Sequence, residues 1–244
     1  MLQIFGCPMH TGAKGLIHSL DYLSNHYDDL NFTIIPEIIM HEKPLQNLKN
    51  YHSVLSTCEA IAEYSYNNIL ENGDIPLFIG GDHSAAMGSV SASAAKHENL
   101  GLIWFDAHPD INTDETTVTG NIHGIPVSAL LGNVSPAAEA FAKILTSKVK
   151  VKPENIVMLG LRDIDPPEAV ILEKLNIKYF TYENIKRLGL NRCLDKCIQH
   201  LSCLDSVHLS FDIDVINPGI MPGVSVPVPD GVTVEEVYTA FDRF

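Results

Sequence analysis

Three short segments of this sequence place carboxylate or imidazole side chains directly after apolar runs. The first follows the run from Gly101 to Phe105 and contains Asp106, His108 and Asp110. Because side chains alternate along an extended backbone, we expect these three to point to the same side. Taken alone, the segment fits a polar loop after a strand as well as it fits a metal site.

The other two segments favour the metal site. Asp212 and Asp214 alternate at the end of another apolar run, and two glycines before Asp82 permit a tight turn that presents His83. Asp82 and Ser84 are themselves typical helix caps, whatever His83 does. Converging carboxylates repel one another unless cations neutralise them, and two cations that share carboxylates need a set of this size. The six candidate ligands are His83, Asp106, His108, Asp110, Asp212 and Asp214. Two imidazole and four carboxylate groups suit a borderline-hard ion such as manganese.

A fourth segment, residues 116–124, is rich in hydroxyl groups and contains His123. Its neutral donors and one titratable imidazole suit a polar ligand beside the metals. Taken alone, His123 is typical of a hydrogen-bonded loop residue, so its functional interpretation depends on the neighbouring metal site.

The elements that position these segments alternate between strand and helix. Continuously apolar strands separated by helices indicate an α/β protein with a mostly parallel central sheet covered on both faces. Ligands of such sheets bind beyond the carboxyl ends of the strands, where the polar segments stand. The predicted strands are residues 2–5, 32–35, 75–79, 101–105, 156–159, 177–180 and 207–211. The predicted helices include a stretch through Leu23, residues 44–71 and 85–96, and one that begins near Thr233.

Composition narrows the class of protein. The chain has 244 residues, 45% of them hydrophobic and 19% charged, which predicts one domain over residues 1–244. A net charge of -14 argues against nucleic acid or an anionic membrane as a partner. The apolar runs are shorter than a membrane span and the start lacks the pattern of a signal peptide, so we expect a cytoplasmic protein. The five cysteines fit neither a disulfide framework nor a CxxC zinc knuckle. Cys193 and Cys197 could share a helix face and bind metal, but with no second pair nearby they are interpreted as ordinary helix residues.

The three metal segments resemble, in order, the three signatures of the ureohydrolase family, which contains the arginases and agmatinases. The matching motifs are Gly80-Gly81-Asp82-His83, Asp106-Ala107-His108-Pro109-Asp110 and Ser210-Phe211-Asp212-Ile213-Asp214. The resemblance implies that family's three-layer α/β/α fold and a binuclear centre with two Mn²⁺ ions. It assigns one ion to His83, Asp106, Asp110 and Asp212 and the other to Asp106, His108, Asp212 and Asp214.

The same resemblance implies a reaction. A hydroxide shared by the two ions attacks the guanidinium carbon of a small-molecule guanidino substrate. Asp110 takes the hydroxide's proton and delivers it to the departing amine, which must leave protonated. His123 resembles the family's proton-shuttle histidine.

Further similarity favours arginase, which converts L-arginine to urea and L-ornithine. Asn112 and Thr119 resemble the residues that receive the α-carboxylate, and Asn121 assists them. Asp165 would meet the α-ammonium group, and Glu168 would support that edge of the pocket. An alternative for Asp163, Asp165 and Glu168 is helix capping before residues 169–175. Agmatine, guanidinobutyrate or formiminoglutamate stay open as substrates, and the family's trimers and hexamers make a homo-oligomer an open possibility.

The sequence departs from the family pattern at two places. Val226 stands where a threonine is expected near the guanidinium group, and the chain stops at Phe244 before the strand that carries a guanidinium-binding glutamate in the family. We therefore expect a domain that is incomplete at its C-terminus, with weak or no turnover. The alternative to an enzyme is a catalytically incomplete binding or regulatory protein.

Overall fold

The computed structural model describes residues 1–12, 18–26, 32–147 and 149–244, and the chain divides into two compact units. The first unit comprises residues 1–98 and 112–150, and the second comprises residues 99–111 and 151–244. Each is described by itself below. The prediction of one domain over residues 1–244 stays a prediction.

The first unit contains a parallel sheet in the order β2-β1-β3. Its strands are β1 (Leu2–Gly6), β2 (Thr33–Ile34) and β3 (Ile75–Ile79). Its helices, among the described residues, are α1 (Ser19–His26), α2 (Tyr51–Asn68), α3 (Ala86–Lys96), α4 (Pro126–Leu130) and α5 (Glu139–Ala142). Apolar residues three, four and seven apart on α2, such as Val54, Cys58 and Ile61, are fully buried in one core with Phe5 of β1. Burial of this stripe holds α2 in place.

The second unit contains a parallel sheet in the order β6-β5-β4-β7. Its strands are β4 (Leu100–Phe105), β5 (Ile156–Leu161), β6 (Lys178–Thr181) and β7 (Ser206–Phe211). Its helices are α6 (Pro166–Lys174), α7 (Tyr182–Leu188), α8 (Leu190–Leu201) and α9 (Val234–Phe241). Every residue of β4 and β5 is buried, as their continuous apolar sequences predict. Phe105 pairs in register with Phe211, so the residues that follow both strands leave the sheet at the same level.

Most predicted elements are confirmed, within a residue or two at their ends. β3 has the predicted bounds, and β2 is a two-residue edge strand that ends before Pro36, as expected for a strand next to proline. The first predicted helix ends at His26 rather than Leu23, and residues 13–17 before it lie outside the described residues. Cys193 and Cys197 are buried on α8, which agrees with their interpretation as ordinary helix residues.

The prediction of a helix over residues 44–71 is wrong in its first part, because α2 begins only at Tyr51. Gln46 and Asn50 have left-handed backbone, with φ of 53° and 52°, which a continuous helix excludes. The backbone N–H of Lys49 donates to the carbonyl of Gly120 at 2.9 Å instead of to a helical partner. Leu48 is buried in this turn, so it continues the apolar spacing without belonging to the helix.

Every helix within the described ranges is too short or too polar to cross a membrane.

Candidate metal centre

The same local turn follows β3, β4 and β7. In each case an aspartate carboxylate accepts the backbone N–H of the residue two positions later. The three bonds are Ser84 N to Asp82 Oδ1 at 2.9 Å, His108 N to Asp106 Oδ1 at 2.7 Å, and Asp214 N to Asp212 Oδ1 at 2.9 Å. Aspartate favours this Asx turn because its short side chain reaches that N–H. The turn follows β4 and β7 directly, and it follows β3 after Gly80 and Gly81.

Asp106, His108 and Asp214 form a buried cluster at the carboxyl ends of β4 and β7. Each offers a ligand atom within 4.8 Å of the other two. The Nδ1 of His108 lies 3.1 Å from Asp214 Oδ2 and 3.5 Å from Asp106 Oδ1. Asp106 is 1% exposed and Asp214 6% exposed, so water screens little of their charge. The N–H of Ala107 also donates to Asp214 Oδ1 at 3.3 Å and holds that carboxylate toward the cluster.

Burial and charge act against each other at this cluster. Burial alone lowers the pKa of His108, but its hydrogen bonds to Asp106 and Asp214 and their negative charges outweigh burial and raise the pKa to about 11. Burial and repulsion from Asp106 raise the pKa of Asp214 to about 6, against the opposing effect of His108. The two carboxylates thus need a positive charge between them, which a protonated His108 or a metal ion can supply.

Asp110 departs from the extended geometry that the sequence predicted. Asp110 has φ of 46°, so the regular alternation of side chains ends before it. One of its carboxylate oxygens nevertheless lies within 4.8 Å of one from Asp106. Asp110 therefore comes close to Asp106 through a left-handed turn, and the convergence of all three side chains stays a prediction. The carboxylate of Asp212 caps the turn after β7, and its role as a ligand stays a prediction.

Glu168 holds the segment next to Asp110 against the start of α6. Its Oε1 accepts the N–H of Ile111 at 3.1 Å, and its Oε2 accepts the N–H of Asp165 at 3.0 Å. Asp165 and Glu168 form a capping box on α6, which confirms the capping role that the sequence left open for them. Burial raises the pKa of Glu168 to about 7, although the two N–H groups act to lower it. Glu168 is 5% exposed, and its partners are backbone groups.

Arg162 is a site-supporting residue that the sequence reasoning did not identify. It follows β5 directly, and its guanidinium group donates to four backbone carbonyls. These are Asp214 O at 2.6 Å, Val215 O at 3.1 Å, Pro229 O at 3.2 Å and Val228 O at 3.3 Å. The rigid fork of donors joins the turn that carries Asp214 to the segment before α9. The only sequence signal is an arginine immediately after an apolar strand.

In the first unit, His83 begins a single 3₁₀ turn (His83–Ala85) after β3. Gly81 is needed there because a Cβ at its position would lie 1.8 Å from the carbonyl oxygen of Met9. Asp82 accepts N–H groups from Ser84 and, at 3.0 Å, from Gly12, so it fixes the turn that presents His83. This confirms Asp82 as a cap.

The polar loop of residues 112–124 is also part of the first unit. Asn112 is buried, its N–H donates to Gly124 O at 3.2 Å, and its Oδ1 accepts from the hydroxyl of Thr116 at 2.8 Å. Thr119 is exposed, and its Oγ1 accepts the N–H of Asn121 at 3.2 Å. His123 is half-buried in a 3₁₀ turn (Ile122–Gly124). Burial raises the pKa of Asp82, and its hydrogen bonds with Ser84 and Gly12 act in the opposite direction. The predicted loop residues therefore lie in one ordered segment.

Comparisons with known proteins agree with this fold. The family model described as "Arginase family" matches residues 10–244. An arginase of Bacillus caldovelox is 38% identical, with 99% of this chain and 85% of the relative covered. An arginase of Bacillus subtilis strain 168 is 36% identical over 242 residues, covering 97% of this chain and 79% of the relative. The crystal structure of arginase from Bacillus cereus has a TM-score of 0.89 at 32% identity, covering 99% of this chain and 84% of that one. The predicted three-layer α/β/α fold is confirmed.

Proposed function

This chain belongs to the arginase family of ureohydrolases, and we propose that it hydrolyses the guanidinium group of L-arginine to urea and L-ornithine. The observation that carries this proposal is the buried cluster of Asp106, His108 and Asp214 beyond β4 and β7. The names of relatives that align with nearly the whole chain support arginine as the substrate. A cytoplasmic location and a homo-oligomer stay predictions.

The donor set of the cluster fits a divalent metal ion. Two buried carboxylates face one imidazole nitrogen, and the raised pKa of His108 reflects their demand for a positive charge. A metal ion that binds this nitrogen of His108 takes the place of its proton and leaves the ring neutral, because metal ligands must be deprotonated. Mixed imidazole and carboxylate ligands suit manganese. The proposed cofactor is two Mn²⁺ ions, with the ligands His83, Asp106, His108, Asp110, Asp212 and Asp214.

When bound, such a pair of ions supplies the positive charge that lowers the pKa of a water molecule and makes it nucleophilic at neutral pH. The proton steps fall to the chain itself. Asp110 is proposed to accept a proton and deliver it to the departing amine, and its backbone is held by the adjacent bond from Ile111 to Glu168. His123 is proposed to exchange protons with solvent from its half-buried turn.

The proposed contacts with the amino-acid end of the substrate come from short polar side chains. Asn112, Thr119 and Asn121 would donate to the α-carboxylate. Asp165 would accept from the α-ammonium group, and its exposed side chain at the start of α6 is consistent with a polar contact there. Glu168 would act indirectly, because both of its oxygens already accept backbone N–H groups.

Metal counting together with urea release tests the proposal. The purified protein is incubated with MnCl₂, and bound manganese, thermal stability and urea release from L-arginine and agmatine are measured. We expect bound manganese, a raised melting temperature, and a higher kcat/KM for L-arginine than for agmatine. The Asp214→Asn variant should lose the manganese-dependent stabilisation, whereas Asp195→Asn, on the exposed face of α8, should keep it.

Each alternative has its own outcome in this experiment. No bound manganese and no stabilisation would contradict the enzyme proposal. Manganese binding without urea release from any guanidino compound would favour a catalytically incomplete member of the family. A higher kcat/KM for agmatine, guanidinobutyrate or formiminoglutamate would reassign the substrate.

A further inference from the structure

We propose that Lys49 is a specificity-determining residue that favours guanidino substrates with an α-carboxylate over those without one. This inference rests on the proposed function and concerns the loop of residues 112–124. The Nζ of Lys49 lies 3.0 Å from the Oδ1 of Asn121 in that loop. The protein carries 30 acidic against 16 basic residues, so its overall field repels anions and a carboxylate needs a local cation.

Backbone contacts place Lys49 against the loop. Its N–H donates to Gly120 O at 2.9 Å, and Asn47 Nδ2 donates to Thr117 O at 2.6 Å. Gly120 has φ of +71°, and a Cβ at its position would lie 2.0 Å from the carbonyl oxygen of Asn47. The two segments therefore meet backbone to backbone, where only glycine fits. Lys49 is held at the loop by its main chain, independently of where its side chain points.

The hydrogen bonds described for the loop use side-chain oxygens as acceptors, so the loop offers mainly hydrogen-bond donors to a ligand. An ammonium group can only donate, so its bond fixes the amide of Asn121 with the oxygen toward Lys49 and the NH₂ group facing away. The hydroxyl of Thr119 accepts the N–H of Asn121, which leaves its hydrogen for another acceptor. The oxygen of Asn112 is likewise engaged, by the hydroxyl of Thr116. The amide NH₂ and the hydroxyl hydrogen of the loop, with the ammonium group of Lys49 beside them, match a carboxylate and reject a cationic group.

The expected effect is moderate because Lys49 and Thr119 are exposed. An exposed ion pair contributes up to about 1 kcal/mol, which corresponds to about a fivefold change in preference. Loss of the bond that orients the Asn121 amide adds to this, so we expect a total of about five- to tenfold. Exposed charges are screened by salt, so the contribution of Lys49 should weaken as ionic strength rises.

The test compares substrates that differ only in the α-carboxylate. The ratio of kcat/KM for L-arginine to that for agmatine is measured in manganese-loaded wild type, Lys49→Gln and Lys49→Arg, at low and at high salt. We expect Lys49→Gln to lower the ratio about five- to tenfold and to remove most of its salt dependence. Lys49→Arg should restore most of both. Lys96→Gln removes a charge from an exposed lysine that pairs with Glu71, and it should leave the ratio unchanged.

Calorimetric binding of L-ornithine and putrescine gives a readout that does not depend on turnover. These two ligands also differ only in the α-carboxylate, and the wild type should prefer L-ornithine by a factor that Lys49→Gln reduces five- to tenfold, an estimate of about the same size as for the substrates. If the wild type releases no urea from any substrate, the proposed function fails, and this binding ratio still decides the role of Lys49. An unchanged ratio in Lys49→Gln, or a wild type that binds the two ligands equally, would overturn the inference.

Discussion

Replacing Arg162 by lysine is expected to lower the free energy of unfolding of the second unit by about 2 to 4 kcal/mol. The guanidinium group donates to the carbonyls of Asp214, Val215, Val228 and Pro229, which belong to two separate turns. Lysine keeps the positive charge but gathers its three hydrogens on one atom. The lysine ammonium group can therefore donate to the carbonyls of one turn or of the other, and two or more of the four carbonyls lose their hydrogen bond.

The magnitude follows from the number of bonds and the exposure of the group. A hydrogen bond to a charged donor contributes about 1.5 to 3 kcal/mol when buried. Arg162 is only half-buried, so we take about 1 kcal/mol for each bond, because water can replace part of what is lost. Two to four lost bonds then give about 2 to 4 kcal/mol, a large part of the typical stability of a domain.

Urea unfolding followed by tryptophan fluorescence measures this effect. The chain has a single tryptophan, Trp104, which is fully buried on β4 of the second unit and so reports on the unit that contains Arg162. The matched control is Arg187→Lys on the exposed face of α7, where we expect a change within about 0.5 kcal/mol. If Arg162→Lys also stays within about 0.5 kcal/mol of wild type, the reasoning about the four carbonyls is refuted.

Three further perturbations have defined outcomes. Burial raises the pKa of Glu168 from 4.5 to about 7, so between these pH values the folded metal-free protein keeps a proton that the unfolded chain releases. The contribution of Glu168 to the free energy of unfolding therefore falls by about 3 kcal/mol as pH rises from 4.5 to 7. Urea unfolding at several pH values should show that slope in wild type and not in Glu168→Gln, and parallel curves would contradict it. Gly160 has φ of +98°, and a Cβ there would lie 2.4 Å from Cγ2 of Val215, so Gly160→Ala should lower the free energy of unfolding by about 3 kcal/mol or more. Gly223→Ala is the control, because a Cβ at that position meets open space, and this variant should melt like wild type. Thr233 caps α9, so Thr233→Ala should cost about 1 kcal/mol in urea unfolding and Thr233→Ser should recover most of it; equal losses in both would exclude the cap.

Much of the fold could be predicted because strand signals in this chain are local. β3 and β4 are apolar runs bounded by glycine or aspartate, and their predicted ends agree with the structure within one residue. The prediction of a helix over residues 44–71 was wrong in its first part because the contacts that decide the structure there are not local. Leu45 and Leu48 continue the apolar spacing of α2, but they belong to a turn whose hydrogen bonds reach Gly120, some seventy positions away. Spacing alone does not distinguish these two uses of an apolar residue.

The candidate site was predictable in its residue types and less so in its supports. The sequence indicates the Asx turns after β3, β4 and β7, since an aspartate follows each apolar run, directly after β4 and β7 and after two glycines at β3. Arg162 was not predictable in the same way. Its four partners are backbone carbonyls, which every residue carries, so no residue type marks them. Lys49 likewise reaches the polar loop through a main-chain bond to Gly120.

The sequence by itself determined which side chains stand at strand ends and what they can bind, because residue type and side-chain alternation are properties of neighbouring positions. Only the tertiary structure decided that Asp106 and His108 meet Asp214, since β4 and β7 pair in parallel across about one hundred positions and align Phe105 with Phe211. Several strands of this chain have a similar apolar character, so their sequences alone do not decide which of them pairs with β4. The pairing is set by the packing of the whole sheet and its helices, which no single segment encodes.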